Sequence, residues 1–187
     1  MFQDFSMLFF RVLSACLGLD PGSPEAAELI VPAYQDPENA PRLPRDRDLV
    51  CYALLEDPGS ENCWQTCRLE NGRPVTEAFP GFRLLVVCYG PHCVEHAHTI
   101  RCFLFLDGPE EPRALLRRQG VYPIPSPPLP TVLHEEAGSL WRKRADLTVF
   151  FRFRLRLPSF SPLTPLSEAP AVILHPSGSP RGREESP

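Results

Sequence analysis

His92-Cys93-Val94-Glu95-His96 is the stretch of this chain whose residue types and spacing could do chemistry. It fits H-x-x-E-H, an inverted zinc-hydrolase motif. Residues four apart share one face of a helix, so His92 and His96 could both ligate a Zn²⁺ while Glu95 serves as general base for a bound water. A third protein ligand is needed, and Glu135 or Glu136 are candidates. The same residues also have a simpler explanation. Gly90-Pro91 stands just before the motif, which places it on the first, solvated turn of a helix, where Glu95 favours the helix dipole without any metal.

A second group, Cys63, Cys67, Cys88, Cys93, His96 and His98, offers thiolate and imidazole ligands. Cys63 and Cys67 fall on a presumed strand, on the same side but ~13 Å apart. Zinc holds its thiolates at ~2.3 Å in a tetrahedron, so this spacing does not make a structural site. No G-x-x-x-x-G-K-[ST] or G-x-G-x-x-G run supports nucleotide binding, and no nucleophile elbow is visible. Arg117-Arg118 and Arg142-Lys143-Arg144 are short basic clusters that a solvated surface explains.

The elements that must position these residues follow from periodicity. Phe5, Leu8, Phe9, Val12, Leu13 and Cys16 recur at helical spacing, and Gly18 supplies the stop. Asp20 to Glu28 reads as a loop with room for one helical turn. Leu29 to Ala33 and Leu49 to Glu56 read as strands, separated by a proline-rich connection. Asn71-Gly72, a strong hairpin signal, joins strands at Cys63 to Glu70 and Arg73 to Glu77. Phe82 to Tyr89 is a continuous apolar run and so a central strand. A helix from about His92 to Leu106 carries Cys93, Ala97, Ile100 and Leu104 on its inner stripe. Glu111 to Gln119 reads as a short helix, Val121 to Pro130 as extended polyproline II, and Leu133 to Leu140 as irregular.

Asp146 to Leu157 then alternates with period two. Leu147, Val149, Phe151, Phe153, Leu155 and Leu157 line one face; Arg152, Arg154 and Arg156 lie on the other. Such a strand would span about 40 Å, well beyond the usual length. The order of elements predicts an α+β domain over residues 1–157, with a mostly antiparallel sheet flanked by two helices. Residues 158–187, rich in Pro and Ser, read as a disordered tail.

Composition narrows the function. The net charge of −4 speaks against general nucleic-acid binding. Proline, at 24 of 187 residues, is far above the usual ~5% and punctuates the connections. The seven cysteines are odd in number and sit mostly in apolar runs, and Met1 to Leu19 lacks the pattern of a secretory signal. That predicts reduced, buried thiols in an intracellular product. No apolar stretch approaches the length of a membrane-spanning helix.

Three segments, in order, carry a resemblance. Tyr34-Gln35 is followed, after Asp36-Pro37-Glu38, by Asn39-Ala40-Pro41-Arg42-Leu43-Pro44 and the strand Leu49 to Glu56. Phe82 to Tyr89 leads through Gly90 into the helix His92 to Leu106. Gly120-Val121-Tyr122-Pro123-Ile124-Pro125 leads through Glu135 to Trp141-Arg142-Lys143-Arg144-Ala145-Asp146-Leu147-Thr148-Val149. Together, over roughly residues 5 to 157, they resemble the tailed-phage neck and tail terminator (tail completion) proteins.

The resemblance implies a non-enzymatic virion subunit with no cofactor. Such a subunit forms a ring, usually a hexamer, that ends the tail tube and joins it to the neck or head-completion protein. DNA would pass through the lumen without sequence-specific binding. Gln35, Asn39, Pro41, Pro44, Tyr122, Pro125, Arg152, Arg154 and Arg156 become the candidates for the subunit interface. The zinc-dependent hydrolase is the alternative.

Overall fold

The structure, a computed structural model, describes residues 2–33, 47–57, 65–71, 73–106, 110–125, 128–137 and 140–158. Helix α1 (Phe2–Cys16) turns Phe9, Val12, Leu13 and Cys16 inward, as its periodicity predicts. Gly18 ends it at φ +71°. The Leu19 N–H reaches the Ser14 carbonyl (2.9 Å) and the Gly18 N–H that of Ala15 (3.3 Å), closing a Schellman motif. The loop that follows holds the helical turn for which its sequence left room, extended by one residue to Leu29. In α2 (Pro24–Leu29), Ser23 caps the first turn by accepting the Ala26 N–H (3.1 Å), and Pro24 sits where its missing N–H costs nothing.

Strand β1 (Ile30–Pro32) runs parallel to β2 (Leu49–Glu56). The rest of the main sheet is antiparallel: β2 pairs β5 (Gly81–Tyr89), and β5 pairs β8 (Leu140–Phe153). Strands β6 (Val121–Pro123) and β7 (Thr131–Ala137) share the far edge of β8, one at each end. Helices α3 (Cys93–Phe105) and α4 (Glu110–Arg118) join α1 on one face of this sheet. The fold is therefore α+β with a mostly antiparallel sheet; the two expected flanking helices are α1 and α3, and α4 falls where a short helix was read.

Strand β5 shows which face is covered. Phe82, Leu84, Val86 and Cys88 are fully buried against the helices; Arg83, Leu85, Val87 and Tyr89, on the other face, are half-buried. The Phe82 ring lies at the centre of an aromatic cluster. Its centroid is 5.5 Å from Phe151, 5.6 Å from Phe5, 5.7 Å from Phe9 and 6.0 Å from Phe153.

The long strand departs from expectation in two ways. It begins earlier, at Leu140, and it breaks at Arg154 before continuing as β9 (Leu155–Pro158) in a second sheet, of order β3-β4-β9. Strands β3 (Gln65–Glu70) and β4 (Arg73–Ala78) form the predicted hairpin, with Asn71 at φ +53° in its turn. The register does not change across the break: Gly81 faces Arg152 and Ala78 faces Leu155, so no residue is inserted. At the bend, Pro80 accepts the Phe153 N–H (3.1 Å) and Gly120 accepts the Arg154 N–H (2.9 Å). One ribbon, β4–β5 against β9–β8, thus serves both sheets.

Two further expectations are corrected. Leu133 to Leu140 is not irregular, because β7 occupies most of it. This edge strand is largely exposed, so it lacks the apolar alternation that would reveal it, and it is held by its pairing to β8. Val121 to Pro130 does not run wholly as polyproline II, since its first three residues pair with β8. No helix among the described residues is long and apolar enough to cross a membrane.

Candidate functional site

The H-x-x-E-H segment falls where its sequence placed it. Gly90 turns the chain at φ +101°, His92 stands at the N-cap position of α3 without a side-chain capping bond, and His96 lies one turn in. Sequence reading missed Asp48, which stands immediately before β2 and closes this corner. Its Oδ1 accepts the His92 backbone N–H (2.9 Å), its Oδ2 lies 2.8 Å from His92 Nδ1, and His96 Nε2 is 3.7 Å from the same oxygen. Burial opposes ionisation of Asp48, but the hydrogen bonds from the His92 ring and backbone and the charge of His96 outweigh it. The carboxyl is held below its ordinary range. The His92 imidazole is correspondingly raised, by its hydrogen bond to Asp48 and by that carboxylate's charge.

These groups form one wall of an open cleft of about 400 Å³, with Glu25, Glu28 and Leu29 of α2 opposite. An Arg47–Glu28 ion pair crosses its rim. Among the described residues the cleft does not gather a zinc ligand set. His92 Nδ1 bonds Asp48, which leaves its Nε2, but Glu135 is paired with Arg144 (3.1 Å) on the β7–β8 edge. Among the described residues, no group of three or more His, Cys, Asp or Glu side chains is placed to hold a metal ion. What the geometry does is anchor the start of α3 to the start of β2.

The thiols are dispersed as well. Cys63 lies outside the described residues, Cys67 is exposed on β3, and Cys88 and Cys93 are buried in the main core. All six described cysteines are free. Burial pushes the Cys16 thiol up to about 12 and the Cys51 thiol up to about 11, so neither supplies thiolate near neutrality.

The interface candidates fall into three groups. Gln35, Asn39, Pro41 and Pro44 lie outside the described residues. Tyr122 and Arg152 are cross-strand partners at the β6–β8 edge, with Arg154 and Pro125 exposed nearby in the chain. Arg156 is instead committed to the small sheet, where it and Arg68 both bind Glu77, at 2.9 and 3.1 Å. Glu70 completes the network, 2.6 Å from Arg68 and 3.3 Å from Arg156. The Glu77 side chain is only 8% exposed, so the two guanidinium groups offset its desolvation. Glu77 and Arg156 are directly opposite each other, a relation that appears only once the strand register is known.

Strands β3 and β9 each pair only with β4 among the described residues. Leu69, 64% exposed, and Cys67 stand on the β3 edge. The fold and these surfaces define a mostly antiparallel α+β protein with a small sheet carried on its main ribbon. No protein-family model matches the chain, and no curated protein matches it.

Proposed function

We propose that this chain is a structural virion protein of a tailed phage, a subunit of the ring that terminates the tail tube and joins tail to neck. The observation that carries the reading is the small β3-β4-β9 sheet, whose outer strands pair only with β4 among the described residues. An edge strand of such a sheet can add to a strand of a neighbouring subunit. Such a head-to-tail contact closes into a ring when the rotation allows. The resemblance over residues 5 to 157 supports the same reading and supplies its partners: further copies of this chain, the tail tube protein, and a neck or head-completion protein. Tyr122, Pro125, Arg152 and Arg154 are the described residues that would add contacts along the ring. DNA would cross the lumen past a subunit of net charge −4, without base-specific contacts.

The test is the native mass of the purified protein by light scattering after size exclusion, with negative-stain imaging, alone and beside the tail tube protein. A closed ring of several copies is the expected result. A protein that stays monomeric at high concentration and in the presence of tail tubes would overturn the reading.

A further inference from the structure

On the outer side of the helical layer, α1 and α4 lie side by side, the end of one beside the start of the other. Two adjoining hollows follow their seam, of about 650 and 390 Å³. Met7, Arg11 and Leu115 line both, so they read as one groove. Its floor is apolar, with Phe5, Leu8, Phe10, Ala15 and Leu19 all half-buried and Met7 59% exposed. Its ends differ in charge: Arg118 stands at one, Asp20 and Glu111 at the other, and Arg11 lies between. From Phe5 to Ala15 the groove follows ten residue steps of α1, about 15 Å at ~1.5 Å per helical residue, and it continues past the helix end to Leu19 and Asp20.

We propose that this groove is the docking site for residues 168–175 of the same chain's C-terminal segment, Glu168-Ala169-Pro170-Ala171-Val172-Ile173-Leu174-His175. Three observations select this occupant. The first is proximity. The Arg154 N–H binds the Gly120 carbonyl, so the chain enters β9 beside the end of α4, next to Arg118 and Gln119 at the basic mouth of the groove. From Pro158, the nine residues 159–167 can reach about 30 Å, more than the ~13 Å that β9 carries the chain away.

The second is composition. Ala171 to Leu174 is the longest apolar run after Pro158, and eight extended residues span about 26 Å, enough to follow the groove along α1 and past its end. The third is charge. Glu168 precedes the apolar run and His175 follows it. A segment entering at the basic mouth would set Glu168 near Arg118 and carry His175 toward Asp20 and Glu111. Tethering raises the local concentration of the segment to the order of mM, so weak contacts suffice to hold it.

Met7 makes the test specific, because the chain has only two methionines and Met7 lines both halves of the groove. The full chain, ¹³C-methyl-labelled at methionine, is compared with a Val172→Asp, Ile173→Asp variant, by the Met7 methyl resonance and by its rate of oxidation by peroxide. The expected result is a shifted resonance and an oxidation rate several-fold higher in the variant. Arg118→Glu should move the same resonance in the same direction. An unchanged resonance and equal oxidation rates would overturn the proposal. Protection of Met7 that grows with protein concentration would also overturn it, by assigning the groove to another copy's segment.

Discussion

Gly90→Ala gives the sharpest test of the corner that joins β2 to α3. Two costs combine there. At φ +101° an L-residue is strained by about 1–3 kcal/mol. The added Cβ would also lie 2.5 Å from Asp48 Oδ1, 2.7 Å from Asp48 Cα and 2.8 Å from the Arg47 carbonyl oxygen. Two of those three atoms are backbone, so relief requires moving the start of β2. That movement breaks the bond from the His92 N–H to Asp48, a loss of about 1 kcal/mol for a hydrogen bond. The sum is about 2–4 kcal/mol, a fall in Tm of about 10 °C for a chain of this size. Gly18→Ala is the matched control. Its φ is also positive, at +71°, but a Cβ there meets nothing within 4 Å, so it carries the strain alone. Thermal unfolding followed by circular dichroism reads both variants. Equal losses for the two would refute the reasoning, because the clash with Asp48 and Arg47 would then contribute nothing.

The Asp48–His92 pair should give stability a pH window. The raised His92 group contributes fully below its unfolded pKa, and that contribution is lost as pH rises through the folded value. The lowered Asp48 group contributes above its unfolded pKa and loses that contribution as pH falls through the folded value. Asp48→Asn should therefore flatten Tm against pH between about 3 and 8, the range bracketing the ordinary carboxylate and imidazole values; an unchanged profile would count against the pair. Phe82→Ala opens the centre of the aromatic cluster and should cost about 3–5 kcal/mol in urea unfolding. A loss under about 1 kcal/mol would mean that the cluster closes over the gap. Arg156→Ala should cost only about 1 kcal/mol, since its side chain is half exposed and Arg68 still meets Glu77 at 3.1 Å. A loss of about 3–5 kcal/mol, as for a severed buried pair, would show that Arg68 alone cannot hold Glu77.

The elements with strong periodicity were legible in the sequence. The buried positions of α1, the inner stripe of α3, the Asn71 hairpin and the buried series Leu147, Val149, Phe151 and Phe153 all follow from spacing. What escaped depends on contacts distant along the chain. Strand β7 has no apolar face of its own, and the bend at Arg154 falls inside an unbroken alternation, fixed by Pro80 and Gly120 from elsewhere. The candidate site divides in the same way. The helical placement of His92 and His96 is local, but their partner Asp48 lies 44 residues before His92 and belongs to no motif. Nothing in the sequence sets Asp48 apart from any other acid in a loop, so the bonds that tie this corner together could not be read from the motif.

The unbroken register through the bend has a mechanical consequence. A pull on the small sheet along its strands enters the core through β4–β5 and β9–β8, two neighbouring strands aligned from Val75 and Pro158 to Tyr89 and Arg144. Along that axis the cross-strand bonds share the load in shear and cannot be unzipped one after another. Slippage by one residue would turn Phe82, Leu84, Phe151 and Leu147 out of the core together. The small sheet is therefore not a loosely tethered flap. It is joined to the main sheet at Pro80 and Arg154 by both strands of one ribbon, so it cannot shift along its strands without carrying β5 and β8 with it.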